Sequence, residues 1–258
     1  KLISFLEKEG LMPDQRGWKL KVGAVIPSTN TIVQPDFDDL RTSGITNHIG
    51  RITLPNMPIK TDEDFNKMVR LSETDMVAAV DRVKTMNPDV LIVGMSSLIV
   101  WDGLDASLSR KEMLENRTGV PVTGGSFAVA EALKKLDVKN IGILSPYMPI
   151  ADEHITKFFY DLGYNVVRFI GLRCPNPVAI ADITHKTLSE ALNEIDGKDI
   201  EALVQFGTNL HFMKQAGTEE KKRKKPVISI NSASYWHALR LSNINDRYEG
   251  YGQLLSQF

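Results

Sequence analysis

"EALVQFGTN" (residues 201–209) is an apolar run that breaks off into a glycine and two small hydrogen-bonding residues. "DVLIVGMSS" (89–97) shows the same pattern about half a chain length earlier, and "KVGAVIPS" (21–28) is echoed in the same way by "NIGILSPY" (140–147). Continuous apolar runs of this length suit strands covered on both faces, as in parallel sheets flanked by helices. An internal echo predicts two similar halves, each with two buried strands ending in hydroxyl or amide residues. Ligands of open parallel sheets bind beyond the carboxyl ends of the strands. Two such halves facing each other gather four polar strand ends around one cleft.

The flanking sequence supplies the crossovers. "HIGRITLP" (48–55) alternates as a strand, and residues 61–87 carry Phe65, Met68, Val69, Met76, Val77, Val80, Val83 and Met86 at mostly helical spacing. Asp62, Glu63 and Asp64 enrich the first turn of that helix, where negative charge complements its dipole. Further helices are expected from about 106, over 126–136, near 151–162, over roughly 177–195 and over 232–241. Strands are expected at 120–125, 165–171, 199–207 and 225–230. Residues 1–18 read as a short helix and a lead-in. Strands alternating with helices predict an α/β fold with mainly parallel sheets, in two lobes related by pseudo-twofold symmetry with the active site between them. Residues 1–19 are the expected N-terminal extension, 20–120 the first lobe with 231–258 packing back onto it, and 121–230 the second lobe.

Composition narrows the function classes. The 258 residues are 42% hydrophobic and 24% charged, with a formal net charge of −1, so neither nucleic acid nor an anionic membrane is an expected partner. The basic run Lys221 to Lys225 reads as a solvated loop between a helix and a strand. No apolar stretch approaches bilayer length and no secretory leader is evident. The single cysteine, Cys174, leaves no internal disulfide and suits a reducing, cytoplasmic location. No GxGxxG or P-loop spacing follows an expected strand.

The candidate binding residues are Pro27, Ser28, Thr29 and Asn30, Ser96 and Ser97, Ser145, Pro146 and Tyr147, and Thr208 and Asn209. At strand ends leading into helices, uncharged donors can bind a carboxylate; equally, each can cap the helix that follows. Of the histidines (His48, His154, His185, His211 and His237), His211 follows Asn209 closely and has a suitable pKa for acid–base work; it also fits an exposed first-turn position. His237, beside Trp236, fits a packing role, and Asp102, after Trp101, is either a buried base or a surface turn residue. Met95, Leu98, Ile99, Val100 and Trp101 suggest an apolar wall. Beside oxyanion donors, such a wall suits loss of a carboxylate and stabilisation of the resulting enolate.

"VIPSTNT" (25–31), the run from Thr118 through "TGVPVTGGSFAVAEALKKLDVKNIGILSPY" to Tyr147, "GTNL" (207–210) and the late "SASYWHALRLSNI…GYGQLL" resemble the maleate isomerase and arylmalonate decarboxylase branch of the aspartate/glutamate racemase superfamily. The resemblance covers most of residues 20–255. It implies a two-lobed pseudo-symmetric fold, no metal or organic cofactor, and chemistry on small carboxylates. It also implies substrate-binding roles for Asn30, Ser96, Ser97, Tyr147, Thr208 and Asn209. Members with racemase or isomerase activity use one cysteine per lobe; here those positions are Met95 and Gly207, and Cys174 matches neither. The expected chemistry is therefore a thiol-free decarboxylase or lyase reaction through an enolate-like intermediate. A thiol-independent isomerase and a non-catalytic carboxylate-binding protein are the alternatives. Tyr147, Ser97 and His211 are the expected catalytic residues, with Pro27, Ser28, Asn30, Ser96, Ser97, Tyr147, Thr208 and Asn209 binding substrate. Glycine at 207 is expected to leave a side-chain-sized hole, and the apolar helix at 126–136 suits a homo-oligomer.

Overall fold

The computed structural model describes residues 14–258, so the expected N-terminal helix falls largely outside the described residues. Among the described residues, eight strands form two four-stranded sheets, and every pairing is parallel. The first sheet contains β1 (Leu20–Pro27), β2 (Ile45–Ile52), β3 (Val90–Val93) and β4 (Val122–Gly124), in the order β2-β1-β3-β4. The second contains β5 (Asn140–Ser145), β6 (Asn165–Gly171), β7 (Ala202–Gln205) and β8 (Val227–Ser229), in the order β6-β5-β7-β8. The echoed segments therefore occupy equivalent places: β1 and β5 are one central strand of each sheet, β3 and β7 the other. Their apolar runs are buried on both faces by helices, which is why they lack alternation.

The connecting helices are α1 (Val33–Asp39), α2 (Asp62–Lys84), α3 (Ser96–Val100), α4 (Gly103–Thr118), α5 (Gly125–Lys135), α6 (Pro149–Asp161), α7 (His185–Ile195), α8 (Met213–Arg223), α9 (Ile230–Leu241) and α10 (Gln253–Gln257). The long helix α2 starts where its acidic turn predicts. Thr61 accepts from the Asp64 N–H while the Asp64 side chain accepts from the Thr61 N–H, closing a capping box. Its buried face includes Phe65, Met68, Val69, Met76, Val80 and Val83.

Several boundaries differ from the sequence-based expectation. β2 begins three residues earlier than 48 because its register follows β1, from Leu20 opposite Ile45 to Pro27 opposite Ile52. α1 was not expected, since Pro35 interrupts the local pattern; it begins with the Asn30 side chain accepting the N–H groups of Ile32 and Val33. The expected helix over 177–195 is a 3₁₀ turn (Ala179–Asp182) followed by α7. Lys221, Lys222 and Arg223 of the basic run form the last turn of α8, where positive charge suits the helix dipole, not a loop. β4 pairs with β3, so the first sheet extends beyond residue 120, where the sequence divides the lobes. α9 lies against α5, α1, β3 and β4 of the first sheet as well as β8.

Candidate active site

The carboxyl ends of the central strands meet between the sheets. After β1 the chain turns through Ser28–Thr31, and Asn30 is buried there. Asn30 Nδ2 donates across the lobes to Thr208 Oγ1 at 3.2 Å, and Thr208 Oγ1 donates to the carbonyl of Gly94 at 3.0 Å. Asn209 answers from the second lobe: its Oδ1 accepts the Thr31 N–H at 2.9 Å, and its Nδ2 donates to the Pro177 carbonyl at 3.0 Å. Capping and lobe contact are thus combined, because the same amides that end the strands also tie the lobes together.

On the other side, Ser96 Oγ and Tyr147 OH lie 3.0 Å apart, both buried. Burial pushes the Tyr147 phenol up to about 12, opposed by its hydrogen bond with Ser96, so it remains a proton-bearing donor at neutral pH. The N-cap residue of α3, Met95, provides no side-chain hydrogen bond, and Ser97 follows it at the cavity.

These groups surround a cavity of about 40 Å³. Thr29, Asn30, Ser97, Tyr147, Thr208 and Asn209 form its polar wall; Pro27, Leu54, Met68, Met95, Pro177 and Ile180 form the apolar one. No Asp, Glu, Lys, Arg, His or Cys is among the described lining residues, so Tyr147 is the ionisable group there. A more open groove of about 690 Å³ runs along the outer edge of β2, by Arg51 and Arg82. It lacks a facing lobe and the converging strand ends, so the smaller cavity is the candidate site.

Three expected site residues, Ser28, Ser96 and His211, do not line the cavity; Ser96 reaches it only through its hydrogen bond with Tyr147. Ser28 is exposed, and its Oγ both donates to the Leu54 carbonyl and accepts the Leu54 N–H, each at 3.0 Å. His211 is exposed and packs against His185 with ring centroids 5.0 Å apart. Burial and the neighbouring His185 lower the pKa of His211, but it does not line the cavity. Asp102 is held by Arg70 at 2.7 Å and also reached by Arg110; the Arg70 hydrogen bond keeps its carboxyl below the usual range. His237 Nδ1 pairs with Thr123 Oγ1 at 2.8 Å, and His154 stacks on Trp101.

The hole expected at Gly207 is absent. Gly207 has φ of +154°, and a Cβ there would lie 2.5 Å from Pro146 Cδ. The proline ring after β5 therefore fills the position where a side chain would project. Cys174 is buried and its N–H donates to the Pro146 carbonyl at 2.9 Å. Burial pushes its thiol up to about 11, and it does not line the cavity. Leu54, Met68, Pro177 and Ile180 are lining residues that were not among the candidate binding residues. Met68 stood on the expected buried helix face, whereas Pro177 arrives by a loop and Ile180 by a 3₁₀ turn, neither carrying a motif.

Among the described residues no group of three or more His, Cys, Asp or Glu side chains is placed to hold a metal, and no helix is long and apolar enough to cross a membrane. Fold and site together define a two-lobed, pseudo-symmetric α/β enzyme whose cavity presents neutral donors between parallel sheets. The family model for arylmalonate decarboxylase matches residues 57–255, and the chain belongs to that family. A maleate isomerase from Pseudomonas putida is 22% identical over 242 residues, covering 92% of this chain and 97% of its own. The arylmalonate decarboxylase of Bordetella bronchiseptica is 23% identical over 184 residues, covering 68% and 75% respectively. A mutant Nocardia farcinica maleate cis-trans isomerase with a covalently bound succinylcysteine intermediate superposes with a TM-score of 0.85 at 19% identity, covering 93% of this chain and 99% of its own. The family places this chain among isomerases and decarboxylases.

Proposed function

We propose that the protein is a cofactor-independent, thiol-free decarboxylase or lyase of a small carboxylate. The carrying observation is the composition of the cavity: six uncharged polar residues face six apolar ones, without a cysteine. In this reading, neutral donors hold one carboxylate while the apolar wall disfavours the leaving one. The bond to the leaving carboxylate breaks, carbon dioxide departs, and its electron pair enters the retained carboxyl to give an enediolate. Ser97, Tyr147 and the free amide hydrogens of Asn30 and Asn209 stabilise the developing charge. The Tyr147 phenol, kept protonated by burial, is the group of this wall able to return a proton to carbon. Donors aimed at developing charge in a water-poor site are worth far more than in water.

The cavity of about 40 Å³ has room for about one water, whose share of liquid volume is about 30 Å³. Ligand pockets generally span about 300–1,000 Å³. Substrate entry therefore requires its cover to shift. Ile59 N–H to the Pro175 carbonyl at 2.7 Å, and Val178 N–H to Asn56 Oδ1 at 3.2 Å, join the two segments that supply Leu54, Pro177 and Ile180.

A thiol-independent isomerase is the second reading, favoured by the fuller coverage of the maleate isomerase relative. Incubation of purified protein with phenylmalonate and with maleate, followed by product analysis, separates the two. Carbon dioxide release from phenylmalonate is expected; fumarate formed from maleate without decarboxylation of malonates would transfer the assignment to the isomerase. Thermal stabilisation by both acids without any product would leave a carboxylate-binding protein.

A further inference from the structure

Asp36 lies on α1 behind the cavity wall and is only 6% exposed. Its Oδ2 accepts from Asn231 Nδ2 at 2.8 Å, and that same Nδ2 donates to the Thr208 carbonyl at 3.0 Å. The acid is therefore linked, through one amide nitrogen, to a strand end that lines the cavity. Asn231 Oδ1 is buried with no hydrogen-bond partner. A carboxylate only accepts and cannot serve that oxygen, whereas a carboxylic acid presents one donor and one acceptor, complementary to a carboxamide.

We propose that Asp36 is a protonated positioning residue that pairs with Asn231 as acid with amide. One carboxyl oxygen donates its proton to Asn231 Oδ1 while the other accepts from Nδ2, which fixes the amide and, through it, the Thr208 carbonyl. Ionisation removes the first bond and leaves two acceptors facing each other, so the amide turns or shifts and the Thr208–Asn209 wall loosens. Proton gain or loss is the whole chemical change.

The surroundings agree. Asp39, on the same helix, disfavours a second negative charge; Lys214 on α8 favours one, but its Nζ is engaged by Asp39 at 2.9 Å. From β2, Arg51 donates instead to the Asn30 carbonyl and Gln34, and from α9 the Tyr235 hydroxyl donates to Asn47. Tyr251 completes the titratable neighbours. Burial, the largest influence, pushes the Asp36 carboxyl up to about 7, opposed by the Asn231 hydrogen bond.

Two measurements on the full chain test the proposal. In carboxyl ¹³C NMR, with the resonance assigned by its loss in Asp36→Asn, Asp36 is expected to titrate near neutrality; titration in the ordinary carboxylate range would overturn the proposal. The second uses maleate as the probe and rests on the carboxylate-binding reading above. Wild-type affinity is expected to fall about thirty-fold from about pH 6 to about pH 8.5, in proportion to the protonated fraction. Asp36→Asn, whose amide can serve Asn231 at any pH, should bind at both without that fall, and Asp36→Leu should bind weakly at both. An unchanged pH dependence in Asp36→Asn refutes the positioning role. Absence of maleate binding by every variant would count against the proposed function, while the NMR titration still decides the protonation of Asp36.

Discussion

At the scale of single residues, the site is defined by what its side chains can donate. Tyr147 is the clearest case: buried, paired with Ser96 and too weak an acid to ionise near neutrality. Tyr147→Phe should lower kcat by about 10²–10³, the usual effect of removing one oxyanion donor, with a much smaller effect on KM; a steady-state comparison checks this. Gly207 carries a different constraint, since its φ of +154° and the Pro146 ring both oppose a side chain. Gly207→Cys should destabilise the fold by about 1–3 kcal/mol through overpacking, partly relieved in combination with Pro146→Ala. A urea double-mutant cycle reads this coupling, and a fully stable single variant would contradict the packing argument. Asp36 makes stability depend on pH. Its carboxyl is raised from an ordinary 3.8 to about 7, so between those values the folded chain binds a proton that the unfolded chain has released. Stability is expected to decline as pH rises from about 4 to about 7 and then level off, by at most roughly 4 kcal/mol from this group. Asp36→Asn should flatten that decline in urea unfolding measured across the range.

At the scale of elements, local sequence and tertiary pairing divide the control. Helix α2 is written locally, by a capping box at Thr61 and Asp64 and an apolar stripe beneath it. Thr61→Ala should cost about 1 kcal/mol, seen as a reduced thermal midpoint, with amide exchange quickening first at the N–H of Asp64. The central strands were equally legible, because runs such as "VLIV" (90–93) are apolar throughout. β2 was legible as a strand but not in its limits, which follow its register with β1. The 3₁₀ turn at Ala179–Asp182 had no comparable signal, although Ile180 within it lines the cavity. Its position depends on contacts with residues far away in sequence, among them Asn56.

At the scale of the whole molecule, the two sheets are joined across the cleft by the amides that also form its wall. Asn209→Ala would leave the Thr31 N–H and the Pro177 carbonyl without their present partners. The expected cost is roughly 2–4 kcal/mol, together with faster hydrogen exchange at Thr31; an unaltered midpoint and exchange rate would show that the lobes are held by other contacts. The sequence by itself determined the two-lobed α/β fold and most of the polar wall, because an internal repeat of buried strands dictates parallel sheets and strand ends have one place to point. Pro27, Asn30, Ser97, Tyr147, Thr208 and Asn209, singled out by their strand-end positions, line the candidate cavity. Only the tertiary structure decided that Ser28 and His211 lie apart, that Pro146 occupies the space beside Gly207, and that Asp36 stands behind Thr208 through Asn231. The physical reason is range: periodicity and capping act over a few residues, whereas cavity shape and the company of a buried carboxyl depend on which distant segments pack together.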